Sequence, residues 1–94
     1  MKKRIYKYPL RVMDEQYIPL PPSAQILTVD VQYGNLVLWA LVDIDDPEMD
    51  SGRRLIYVIG TGNMIQDDIE NMSYVNTVQM RDGNLVWHVF AEIA

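Results

Sequence analysis

The sequence predicts a mainly β fold: a small antiparallel β-sandwich or partly open barrel of about seven strands with one short helix. Three observations lead there. Apolar and polar residues alternate with period two in several segments. Turn residues (Gly, Pro, Asn, Asp) punctuate those segments. A hairpin pattern is also written twice, as VQYGNLVLWALVDI at 31–44 and VQMRDGNLVWHVFAEI at 78–93. An α+β arrangement, with the helix packed on one curled sheet, is the alternative.

The elements follow in order. Lys2 to Tyr8 alternates, with Arg4, Tyr6 and Tyr8 on one parity and Lys3, Ile5 and Lys7 on the other. It stops at Pro9, which suits an edge strand. Gln16 to Leu20 forms a second short strand, ended by Pro21 and Pro22, which fix φ and remove amide donors. Gln25 to Gln32 is a strand with Leu27, Val29 and Val31 on one face. Tyr33-Gly34-Asn35 turns the chain, and Leu36 to Val42 is apolar on both parities around Trp39. Such a strand is covered on both faces or passes between sheets. Arg53 to Ile59 is the next strand and ends at Gly60-Thr61-Gly62. The helix signal follows: Asn63 as a cap, Gln66 three residues on, Asp67 and Asp68 in the first turn, and Ile65, Ile69 and Met72 at i, i+4 and i+7. It supports two or three turns. Tyr74 to Met80, the Arg81-Asp82-Gly83-Asn84 turn and Leu85 to Ile93 complete the chain.

Aligned on Gly-Asn-Leu-Val, the two hairpins pair Leu36 with Leu85, Val37 with Val86, Leu38 with Trp87 and Trp39 with His88. A duplication and two independent solutions to one packing problem explain this equally well. Either way the second strands of the two hairpins should hold equivalent places in the core.

Residues 1–94 make one domain, 49% hydrophobic, enough for a modest core. No run of apolar residues is long enough to span a membrane as a helix, and the basic start MKKR lacks the apolar stretch of a signal peptide. The absence of cysteine removes disulfides, thiolate nucleophiles and Cys-ligated metals. A cytoplasmic location follows as an expectation. The net charge is −5, yet Lys2, Lys3, Arg4, Lys7 and Arg11 hold five of the eight cations. Beyond them only Arg53, Arg54 and Arg81 face thirteen acids, a body of −10 that would repel phosphate and disfavours nucleic acid as a partner.

Candidate chemistry is sparse, and each candidate has a structural reading beside it. His88 is the sole histidine, between the apolar Val86 and Phe90 on its parity, and no nucleophile motif accompanies it. The simpler reading is a half-buried histidine bonded to a neighbour. Asp43, Asp45, Asp46, Glu48 and Asp50 crowd one loop. Counted from Asp43, an EF-hand would need Gly where Glu48 stands, so a solvated loop is preferred and no metal is expected. Gly60, Thr61, Gly62 and Asn63 could cradle an anion with their amides, aided by Arg53 or Arg54, but they match no phosphate-binding motif and suit a tight turn. Six tyrosines suggest a recognition surface, with Tyr33, Arg81, Asp82, Trp39, His88, Asp45, Asp46 and Glu48 as candidates. No catalytic residue and no cofactor are assigned.

An ordered set of short blocks carries one resemblance: LP-x-x-A at 20–24, LWALVD at 38–43, GTG at 60–62, Tyr74 with TVQ at 77–79, and GNLVWHVFAE at 83–92. It resembles a family of small proteins carried by tailed bacteriophages and prophages. That family has no assigned activity, so no residue roles carry over. The resemblance implies a protein made in a host bacterial cytoplasm. Together these points favour a non-enzymatic protein that binds and modulates a host protein, with inhibition of a defence component and mimicry of nucleic acid as sub-cases. A binder of a small anionic ligand or nucleotide, and a virion or assembly component that oligomerises through edge strands, are the alternatives. An enzyme ranks last and would rest on Asp43 and Glu92.

Overall fold

Seven strands form two antiparallel sheets that face each other across one core. The structure, a computed structural model, describes residues 2–65 and 67–93. The strands are β1 (Lys3–Pro9), β2 (Glu15–Ile18), β3 (Gln25–Gln32), β4 (Asn35–Asp43), β5 (Arg54–Gly60), β6 (Met72–Met80) and β7 (Leu85–Glu92). One sheet has the order β1-β4-β3 and the other β2-β5-β7-β6. The sandwich expectation holds, and the arrangement is not a closed barrel. Period-two alternation builds the core: Leu36, Leu38, Ala40 and Val42 of β4 point inward to meet Ile56 and Val58 of β5 and Val89 and Ala91 of β7. Burying each of the larger of these side chains is worth about 1.5–3 kcal/mol.

The two hairpins occupy matching places. β3 and β6 are edge strands, and β4 and β7 lie one strand in. Thr28 sits opposite Trp39 in one sheet as Thr77 sits opposite His88 in the other. The two edge strands then approach each other along that side of the sandwich.

Two expectations are corrected. The strand covered on both faces is β5, buried along its whole length, and not β4. Trp39 and Leu41 of β4 stay half-exposed on an open outer face. The helix is only a 3-10 turn, Asp67–Asn71, and Gln66 of the capping signal lies outside the described residues. The turn is short because Met72 enters β6 and pairs with Glu92, so chain that would extend a helix becomes ladder. The apolar spacing still works: Ile69 and Met72, with Phe90, cover Leu55, Tyr57 and Ile59 on the outer face of β5. The Tyr57 hydroxyl anchors this cover by donating to Asp68 Oδ1 at 2.6 Å.

A carboxamide fastens the β3/β6 seam between the sheets, and a second one braces the loop between β1 and β2. Across the β3/β6 seam, Asn76 Oδ1 accepts the Val29 N–H at 3.0 Å while its Nδ2 donates to the Val29 carbonyl at 2.7 Å. In the loop between β1 and β2, Gln16 does the same to Arg11, at 2.9 and 2.8 Å. A primary amide offers the donor and acceptor of a peptide group, so each replaces a missing strand partner at one residue.

Candidate binding end

The β3–β4 and β6–β7 hairpins end at the same pole of the sandwich, where Gly34 and Arg81 line one opening and Tyr33 stands beside Gly34 in its turn. The first turn has only two residues, Tyr33 and Gly34, because Gln32 pairs with Asn35. Their φ values are 51° and 79°, the left-handed pair that matches strand twist in a two-residue hairpin. Gly34 accepts this freely; Tyr33 does not, since a Cβ in that region crowds the carbonyl. Tyr33 is 94% exposed, so no packing demands its ring there. The second turn places Arg81, Asp82 and Gly83 at φ 52°, 56° and 89°, closed by bonds from Gly83 N–H to Met80 and Asn84 N–H to Arg81.

Between the tips lies a cleft of about 590 Å³ lined by Val12, Val31, Met80, Leu85 and Trp87, with Gly34 and Arg81 at its rim. Trp87 Nε1–H points to Met80 Sδ at 3.2 Å, a weak bond that leaves the indole face apolar. Val12 is exposed, and Met13 follows it, exposed as well. Arg81 is the one charged residue among the described residues that line the cleft, with Asp82 next to it in the turn.

The Gly60–Asn63 turn lies beside this pole, next to Asn84 and Leu85. It makes a poor anion cradle. Asn63 N–H is bonded to the Gly60 carbonyl at 3.0 Å and Thr61 N–H to Val86 at 3.4 Å, which occupies two of its amides. A Cβ on Gly60 would meet Asn63 Nδ2 at 2.9 Å, so packing explains that glycine. Arg53 and Arg54 stand at the start of the strand that Gly60 ends, about 20 Å away at some 3.3 Å per residue. The expected ligand set is therefore not assembled. Arg53 stacks on Tyr17, 4.5 Å from its centroid, and Arg54 is buried.

The other candidates divide among three surfaces. His88 lies on the outer face of the four-stranded sheet, its ring nitrogens 2.7 Å from Thr61 Oγ1 and 3.0 Å from Thr77 Oγ1. Thr77 in turn meets the Tyr74 hydroxyl at 2.7 Å. This chain of hydroxyls ties β5, β7 and β6 together; it presents no carboxylate to orient the imidazole as a base. Trp39 lies on the opposite outer face. Asp45, Asp46 and Glu48 lie at the far pole, where Asp46 accepts bonds from Ser23 Oγ and the Glu48 N–H. Those bonds, the Ser23 one first, hold the Asp46 pKa below the usual carboxylate value. Asp43 likewise binds the Asp45 N–H, so the acids cap turns, and no metal-holding group is found among the described residues. Asp43 and Glu92 end strands in different sheets, each bonded to backbone N–H.

The whole chain, residues 1–94, matches the domain of unknown function DUF7352. The chain belongs to that family. No curated protein and no solved structure matches it. Within this DUF7352 domain the pole that gathers Tyr33, Arg81 and the apolar cleft is the surface best suited to recognition. Sequence reasoning named Tyr33, Arg81 and Asp82 but missed Val12 and Trp87. The signal for Trp87 was present, since it aligns with the inward-facing Leu38.

Proposed function

We propose that the domain is a non-enzymatic binding module that engages a protein partner through its hairpin-tip pole. The observation that supports this reading is a fully exposed tyrosine and an arginine, both on strained turns, flanking an apolar cleft. Aromatic and arginine anchors around a desolvated pocket carry most of the energy in protein interfaces. Backbone in sparsely populated regions is kept where function needs it. The phage resemblance supports a host bacterial protein as the partner and the host cytoplasm as the place of action, with modulation of that partner as the outcome.

Affinity capture from bacterial lysate tests the reading. Immobilised wild type should retain a protein that the Tyr33→Ala, Arg81→Ala double variant does not. With the isolated partner, each single change should weaken binding by about 2 kcal/mol, roughly thirtyfold. Equal retention by the folded double variant, or nothing retained by either, overturns the proposal.

A further inference from the structure

Along the β3/β6 seam two edge strands face each other with no strand between them. Asn76 bridges them at one level. Toward the Arg54 pole each strand has a bulge, between Ile26 and Thr28 in β3 and between Tyr74 and Asn76 in β6. A bulge bends its strand and interrupts the ladder. Here two bulges lie beside each other, and a cleft of about 470 Å³ opens between Ile26 and Leu27 on one wall and Ser73, Tyr74 and Val75 on the other. That volume suits a small ligand or a few residues of chain, within the usual ~300–1,000 Å³.

Arg54 lines this cleft and is only 6% exposed. A buried arginine normally forks onto a carboxylate. This one gives Nη2 to the carbonyls of Pro22 and Pro21, at 2.5 and 3.5 Å, and makes no other hydrogen bond among the described residues. Among the described residues no buried side-chain nitrogen is both sealed from solvent and unpaired. The unused donors of Arg54 therefore keep some access to solvent, and Arg54 is one of the residues that line the cleft. Glu92 also lines it, but its Oε1 accepts the Leu55 N–H at 3.3 Å. Burial pulls the Arg54 pKa below its ordinary value, against the opposing pull of Glu92.

We propose that the cleft binds an extended peptide segment bearing a carboxylate, with the acid forked onto Arg54 and the peptide backbone hydrogen-bonded along the free strand edges. Strand addition to an exposed edge is an established mode of peptide capture. Two facing edges favour a peptide over a simple carboxylic acid, which would leave the backbone groups unpaired. The cleft is at the opposite pole from Tyr33, so the two sites are independent.

Fluorescence anisotropy decides the matter. The probe is a fluorescein-labelled peptide of alternating Thr and Val ending in Asp with a free C-terminus; its twin ends in Asn and is amidated. The acidic peptide should bind at least about tenfold more tightly than the twin. Ser73→Trp, which fills the cleft from an exposed position, should abolish binding, and Gln25→Trp gives a second block from the β3 side if the first does not fold. Tyr33→Ala should leave the affinity unchanged, which separates this site from the hairpin-tip pole. Equal affinity for the two peptides, no binding at millimolar concentration, or full binding to a folded blocked variant overturns the proposal. So does displacement by 4-methylpentanoate at the same concentration as by the peptide.

Discussion

Asn76 shows how much one side chain can decide. It satisfies both backbone groups of Val29, a residue 1% exposed, so water cannot replace it. Asn76→Leu keeps the volume but leaves a buried donor and acceptor unpaired. The expected loss is about 2–4 kcal/mol, seen as a lower urea midpoint with an unchanged slope. Gln16→Leu removes the same two bonds at an exposed site, where water substitutes, and should cost less than about 1 kcal/mol. Tyr57 offers a pH test. Its hydrogen bond to Asp68, with burial, pushes its pKa from 10.0 up to about 12. The folded value lies above the unfolded one, so this stabilisation is whole below pH 10 and is lost as pH rises through 12. Urea unfolding across pH 9–12 should show that fall in wild type and a shallower one in Tyr57→Phe; the Tyr8 hydroxyl, whose pKa burial also raises, supplies part of the remaining slope.

At the scale of elements, the hairpin tips trade stability for display. Asn before Gly is the preferred pair in a two-residue turn of this kind, and a tyrosine is not. Tyr33→Asn should raise unfolding free energy by about 0.5–1 kcal/mol while weakening partner binding, a split that thermal unfolding and affinity capture on the same variant would show. Strands and turns were legible in the sequence because alternation and turn chemistry are local. The helix was misread for the opposite reason. Ile65, Ile69 and Met72 have helical spacing, but Met72 is claimed by a ladder partner twenty residues away, Glu92. The covered strand was misread too, since β4 and β5 are both apolar on two parities and only the packing of Ile69, Met72 and Phe90 on β5 decides which is covered. Nothing in a sequence announces that Asn76 will bond Val29, or that Arg53 will stack in the open while Arg54 goes inside.

For the molecule as a whole, charge is distributed by strand. The basic β1 lies beside β4, with Lys3 opposite Asp43, and Lys7 Nζ reaches Gln32 at 2.6 Å across the sheet. Its cations offset an otherwise strongly acidic body. Reversing Lys3 and Lys7 to Glu takes the net charge from −5 to −9, two units for each change. Stability should fall by about 1 kcal/mol at low ionic strength, about 4–8 °C in Tm, and most of that should return in high salt. The recognition site was half legible at this scale. Tyr33 and Arg81 stood out as turn residues, whereas their meeting at one pole depends on how two sheets are stacked, which no local pattern encodes.

The seam amide has a consequence in time as well as in energy. Edge-strand amides exchange their hydrogens quickly when water reaches them. Val29 lies on an edge, yet its N–H is held by Asn76 as firmly as by a neighbouring strand. In heavy water the Val29 proton should outlast those of most other β3 positions that face the seam, and it should vanish early in Asn76→Leu. A single slow proton on an outer strand would thus report, second by second, when the two sheets part.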